Sequence, residues 1–144
     1  MLGTLDESHI EDLLREATVG RLGCSDGGRT YVIPTSYAYD GESIYAHSYD
    51  GLKLRMMRNN PEVCFQVDRL EGIGNWRSVI AWGRYEELSG PDAVRGLELI
   101  MQRFAPLMGL DPNDPPPAHG DQSDRPSFVY RIRVGEKTGR FESS

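Results

Sequence analysis

Two cysteines, Cys24 and Cys64, are all the disulfide-forming capacity this chain has, and neither has the near neighbour of a Cys-x-x-Cys pair. That spacing argues against a disulfide framework, and both residues read as free, core-type thiols. No apolar run reaches the roughly 18–20 residues that cross a bilayer. Met1–Leu14 is acidic and amphipathic and lacks the apolar centre of a signal peptide, so a cytoplasmic protein is expected. The three histidines, His9, His47 and His119, show no metal-ligand spacing, so no metal centre is expected. No glycine-rich dinucleotide fingerprint or Walker motif is present. Positive charge is short too, with 16 Lys and Arg against 22 Asp and Glu and a net charge of −6. Such a chain lacks the basic face that displaces counterions from nucleic acid. The places where its cations do gather are therefore informative.

The 144 residues fit one domain spanning 1–144, with 38% hydrophobic residues as in ordinary globular chains. Asp6 reads as the N-cap of a helix to about Ala17, with Ile10, Leu13 and Leu14 on one face. Short strands follow around Arg21-Leu22, over Thr30–Tyr39 with Pro34 as an interruption, and over Ser43–His47. Asp40-Gly41 between the last two is a hairpin signal of the type I′ kind. Ser48–Gly51 reads as a loop, Leu52–Asn59 as a short helix, and Val63–Asp68 and Trp76–Leu88 as strands. Pro91 opens a further helix with Val94, Leu97, Ile100, Met101 and Phe104 as its apolar stripe. The segment 106–126 is rich in Pro, Asp and Gly and reads as an irregular loop. Ser127–Val134 is a last strand, followed by a polar tail. Hairpins without regular βαβ alternation favour a mainly β fold, a small antiparallel barrel with flanking helices.

Lys53, Arg55 and Arg58 fall within six residues of an otherwise acidic chain, on the short helix behind Ser48 and Gly51. A helix start offers unpaired N–H groups and the positive end of a dipole, and a serine hydroxyl and a lysine complete a phosphate-type site. A solvated basic helix face fits the same residues, and spacing leaves both readings open. His47, at a strand end, suits acid–base work near neutral pH or a structural cap. Gly23-x-Ser25-x-Gly27 matches a nucleophile-elbow pattern formally, but in a strand-to-strand turn where a hydrolase needs strand-to-helix. Trp76 and Trp82 share a strand parity and suit either ring stacking or packing.

Taken in order, several short motifs resemble the pyridoxamine 5′-phosphate oxidase-like superfamily, on the branch related to nitroimidazole reductases. They are Gly20-Arg21-Leu22-Gly23, Tyr31–Tyr37, Ile44–Ser48 with Gly51-Leu52-Lys53, Arg58–Pro61, Val63–Asp68, Trp76–Val79 with Gly83-Arg84, and Tyr130–Val134 with Thr138-Gly139-Arg140. The resemblance implies a six-stranded, Greek-key split β-barrel homodimer with FMN at the subunit interface. It implies Val32, Ile33, Pro34, Thr35 and Ser36 along the flavin ring. Ala46, His47 and Ser48 would lie near the ribityl chain and phosphate, Ser48 and Lys53 on the phosphate, and Trp76 and Ser78 would come from the second subunit. His47 falls where nitroimidazole reductases place an active-site histidine. The chain lacks the C-terminal Arg-x-His segment of pyridoxine-phosphate oxidases, which argues against a vitamin B6 phosphate substrate. The implied activity is a flavin-dependent oxidoreductase passing electrons from a reduced nicotinamide to an acceptor such as a nitroaromatic. A non-enzymatic flavin-binding protein, or the same barrel holding a deazaflavin or haem, is the alternative.

Overall fold

A computed structural model describes residues 1–111 and 126–144. Helix α1 (Glu7–Glu16) starts where the sequence indicates. Asp6 caps it by accepting from the His9 backbone N–H at 2.9 Å, and Ile10, Leu13 and Leu14 are its buried face. The strands β2 (Val19–Asp26), β3 (Arg29–Ser36), β4 (Ala38–Tyr39), β5 (Ser43–Tyr49), β6 (Glu62–Gly72), β7 (Asn75–Glu87) and β8 (Ser127–Glu142) form one antiparallel sheet. Their spatial order is β3-β2-β6-β7-β8-β5-β4, and a short β1 (Leu2–Thr4) pairs with β8. β3 and β4 are consecutive pieces of one extended stretch, one pairing with β2 and the other with β5. The two edges of the sheet are thus one segment, and the sheet closes on itself. Six long strands build this mainly β fold, and two short segments extend it.

Several boundaries move from where the sequence put them. The expected break at Pro34 falls instead at Tyr37. Pro34 pairs in register with Arg21, in a strand with no neighbour on its other side, where proline is tolerated. The Tyr37 N–H donates to Thr18 O and its hydroxyl to Leu14 O, tying the break to α1. The strand around Arg21-Leu22 runs through both flanking glycines. At Gly20 a Cβ would lie 2.1 Å from Phe65 Cε1, so this spot needs a residue without one. The Asp40-Gly41 hairpin exists but is not type I′, which needs two positive φ angles. Gly41 alone has one, at +97°, and the Asp40 carboxylate accepts the Glu42 and Ser43 N–H groups. Ser48 and Tyr49 belong to β5 and not to a loop.

The largest correction concerns the C-terminus. The polar tail after Val134 continues as strand to Glu142. It crosses a bulge, where β7 residues Trp82 and Gly83 pair with Glu136 and Val134 and skip Gly135. Two helices close the structure around the core of Leu22, Ile44, Phe65, Val67, Val79 and Ile132. Helix α2 (Leu52–Asn59) adds Leu54, Met56 and Met57 to that core. Helix α3 (Gly90–Phe104) lies outside on β5 and β8. It comes close because Gly96 has no side chain: a Cβ there would stand 2.9 Å from Val129 Cγ1 and 3.1 Å from Tyr45 Cδ1. Its expected stripe is only partly covered, and Val94 is 58% exposed. Of the expected loop, Pro106–Met108 forms one 3-10 turn, and residues 112–125 lie outside the described residues. Among the described residues no helix is long and apolar enough to cross a membrane.

Candidate functional site

Strand alternation sorts the expected site residues into two sets. Val32, Pro34 and Ser36 on β3 point outward and are exposed, while Ile33 packs against the core and Thr35 is buried. On β5, Ala46 and Ser48 face the interior, and His47 faces out, on the parity of Tyr45. His47 and Ser48 therefore do not share a face. The His47 ring meets that of Tyr49 edge-on, with centroids 5.9 Å apart. The Ser48 hydroxyl donates to Tyr49 O at 2.9 Å.

The outward residues assemble into a broad face that α3 leaves bare. Register places Val32, Gly23, Cys64, Trp82 and Glu136 in one row across five strands. The next row is Pro34, Arg21, Gln66, Ile80 and Thr138. Beyond it lie Asp68, Ser78 and Arg140, and then Leu70, Trp76 and Glu142. The middle of the face is a connected polar patch. Gln66 donates to Asp68 at 3.1 Å and to Ser78 at 3.0 Å, and Arg21 pairs with Asp68 at 3.4 Å. Up to Glu136 at its β8 end the first row is apolar, with Val32 63% and Trp82 40% exposed above a depression of about 340 Å³ beside Cys64.

One end of the barrel carries the start of α2, where an anion site is expected. The N-cap of α2 is Gly51, no side chain caps it, and its first turn has no acidic residue. Its leading N–H groups are therefore open to a ligand. Lys53 sits in that first turn, half-buried, and makes no ion pair among the described residues. Arg58 does not share this freedom: it binds Glu87 at 2.8 Å and Asp50 at 3.2 Å. Burial pulls the Lys53 ammonium below the ordinary lysine range, and the neighbouring Cys24 thiol opposes that shift. Burial pushes the Cys24 thiol up, as does Cys64, while Lys53 draws it down.

Cys24 is a buried core thiol, as its sequence indicates, whereas Cys64 is only half-buried and lies on the outer face. Tyr130 is fully buried and its hydroxyl has no hydrogen-bond partner among the described residues. Burial pushes the ionisation of this hydroxyl up, the Cys24 thiol adds to that and the Thr35 hydroxyl opposes it, while the Thr35 hydroxyl itself donates to Ile33 O at 3.4 Å. The signal for Tyr130 was its inward parity in the last strand, opposite Ala46.

Trp76 and Ser78 are not brought to this end within one chain. Gly23, next to Cys24, aligns with Cys64 and Trp82. Trp76 is six residues further along β7, about 20 Å at strand rise. Its indole N–H donates to Glu142 Oε1 at 3.0 Å, which fixes the ring.

A closed antiparallel barrel with an uncapped, lysine-bearing helix start is a recognisable kind of ligand-binding scaffold. The family profile described as pyridoxamine 5′-phosphate oxidase matches residues 6–141, and the chain belongs to that family. An uncharacterized protein of Rhizobium meliloti (strain 1021) is 31% identical over 84 residues, which is 58% of this chain and 56% of that protein. The match thus spans just over half the length of that relative. A FAD-binding protein from Mesorhizobium loti is similar in structure, with a TM-score of 0.76, 34% identity, and 99% of each chain covered. A candidate 5-nitroimidazole antibiotic resistance protein from Bacteroides thetaiotaomicron superposes with a TM-score of 0.73 at 21% identity, covering 98% of this chain and 89% of that one. At that identity the likeness speaks for the fold.

Proposed function

We propose that this protein binds a flavin nucleotide, with the phosphate at the start of α2 on Lys53 and the ring along the outer face of β3. The observation that carries the reading is Lys53. A half-buried ammonium without a carboxylate, in a chain with net charge −6 and beside an uncapped helix start, is costly unless an anion joins it. Ser48 stands just before that helix and would turn its hydroxyl from Tyr49 O to the phosphate. Val32, Pro34 and Ser36 supply exposed backbone and side chains on an unshared strand edge. FMN is the proposed form, and the FAD-binding relative makes FAD the competing outcome.

The same reading makes the bare five-strand face the seat of a second copy. Val32, Trp82 and Ile80 there are apolar, and Trp76 and Ser78 lie at the far end, where they would reach the flavin held by the partner. The flavin supplies two-electron chemistry between a reduced nicotinamide and an acceptor. This chain's residues bind the phosphate, orient the ring and exclude water from the interface.

The test is the visible spectrum of the purified protein, with the mass of the ligand released on denaturation. A yellow protein releasing FMN supports the reading, and release of FAD corrects the nucleotide. A colourless protein that takes up neither, or a haem Soret band, overturns it. Stopped-flow mixing with NADH and NADPH then tests the oxidoreductase activity. Bound flavin that neither donor reduces would make it a binding protein only.

A further inference from the structure

The far corner of the bare face ends in a hydrophobic strip. Leu70 on β6, Trp76 on β7, Glu142 on β8 and Leu2 on β1 are direct partners in one row, so their side chains share the outer side of the sheet. Leu70 and Leu2 are each 71% exposed. Beyond them, Ile73 and Gly74 are the two-residue tip of the β6–β7 hairpin, and the Ile73 side chain is fully exposed. Such turns favour Gly, Asn and Asp, and an isoleucine there buries nothing within its own chain. Two charges of opposite sign share this corner of the face, Glu142 and Arg140, and Glu142 also accepts the Trp76 indole N–H. Glu71, beside the tip, accepts from Asn75 at 3.3 Å. The corner therefore has no surplus of positive charge.

Within one chain this corner stands away from a flavin lying along β3. β7 is three strands from β3 in the sheet, about 14 Å at the spacing of neighbouring strands. For Trp76 and Ser78 to touch such a flavin, the far corner of one face must lie over the β3 side of the other. The twofold symmetry of the pair then brings Leu70 and Ile73, with Trp76, to the ring held by each partner. We propose that the β6–β7 hairpin of one copy is the outer wall of its partner's flavin site, where Leu70 and Ile73 select an uncharged, flat acceptor of the quinone type. The inference rests on the flavin reading above. The wall gives apolar contact to a neutral ring and no free cation to an anionic one. Two electrons and two protons pass from reduced flavin to the quinone, leaving oxidised flavin and a hydroquinone.

The test uses the full chain, with menadione as probe and a naphthoquinone sulfonate as its anionic counterpart. The Ile73 methyl signals, assigned with Ile73→Leu, are followed by NMR as the apoprotein takes up FMN or FAD. A ring-current shift is expected on flavin uptake. Menadione should move the signals further and saturably, and the sulfonate should bind about tenfold more weakly. The bound flavin is then photoreduced without oxygen and mixed with menadione in stopped flow. Ile73→Asn, at an exposed turn, should raise the half-saturating menadione concentration about tenfold and leave the limiting rate and flavin uptake unchanged. Ile73→Leu should behave as the wild type. In a protein that takes up flavin, unmoved Ile73 signals, equal binding of the two probes, or an unchanged half-saturation in Ile73→Asn would overturn the hairpin's role alone. A protein that takes up neither nucleotide overturns the flavin reading, and the hairpin's role with it.

Discussion

The two outer faces of the barrel solve the same problem differently. On the face of β5 and β8, α3 covers Tyr45 and Val129 through the notch at Gly96. Glu86 binds both Arg131 and Arg133 at its border. On the face of β3, β2, β6 and β7, nothing among the described residues covers Val32 or Trp82, and the polar groups that pair there are the patch of Arg21, Gln66, Asp68 and Ser78 and the Trp76–Glu142 contact at the far end. A covered face invests in close backbone approach and local ion pairs. A bare face with exposed tryptophan and valine is what a surface looks like when its cover comes from another molecule.

The strongest way to break this contrast is Trp82→Asp. If the bare face seats a second copy, losing a central aromatic anchor and adding a charge should weaken dimerisation on the order of a hundredfold or more. Sedimentation at micromolar concentration should then show a monomer that melts nearly as a folded chain does. A wild-type protein that is monomeric at the same concentration removes the premise. Next comes Gly96→Val on the covered face. The added side chain must push α3 away from Val129 and Tyr45, and a loss of about 2–3 kcal/mol is expected in chemical denaturation. No change would mean that α3 is not seated as described.

Lys53→Gln tests the edge where the bare face meets the anion site. Removing a charge-assisted contact should lower flavin affinity about ten- to hundredfold with little change in the apo melt. Unchanged affinity would move the phosphate elsewhere. The smallest effect belongs to Glu86. Hydrogen bonds from Arg133 and Arg131 hold its carboxyl below the ordinary glutamate range. A carboxyl whose folded value is depressed adds stability above its unfolded value, near 4.3, and loses it as pH falls through the folded one. Glu86→Gln should cost about 0.5–1 kcal/mol at neutral pH, a modest figure because the pair is partly exposed. It should also flatten the acid side of the stability profile below about pH 5. An unaltered acid limb would show that the pairing gives nothing.

Much of this was legible in the chain. The bounds of α2 and the capping of α1 follow from Asp6, Asn60-Pro61 and the apolar spacing, because local chemistry sets them. The strand β8 past Val134 was not legible, since its stretch Gly135–Arg140 has no apolar alternation. Its inward positions are filled from elsewhere. Leu5 and Ile10 pack over Gly139, where a Cβ would come within 3.0 Å of both, and Lys137 binds Glu11 and Tyr39. The short β1 was hidden for a similar reason: it exists only by pairing with that same strand. In the candidate site, the basic cluster marks α2, but spacing could not show that Arg58 is held by Glu87 and Asp50 while Lys53 has no ion pair among the described residues. Period-two alternation could have separated His47 from Ser48, and it was masked by reading Ser48 as loop. The place of Leu70 beside Trp76 depends on hairpin register, which the Gly72–Gly74 turn alone does not define.

The closure of the barrel also has a consequence in time. β8 borders β7, β5 and β1, so the strand that comes last in the chain joins the two halves of the sheet. Contacts between residues far apart in sequence carry a loop-closure cost before they return any stability, and they fold slowly. A nascent chain that has emerged only as far as α3 can pair β2, β3, β6 and β7, but one side of β7 and one side of β5 stay unpaired. During synthesis the protein is therefore an open, sticky sheet, and it becomes a barrel only after its last strand leaves the ribosome.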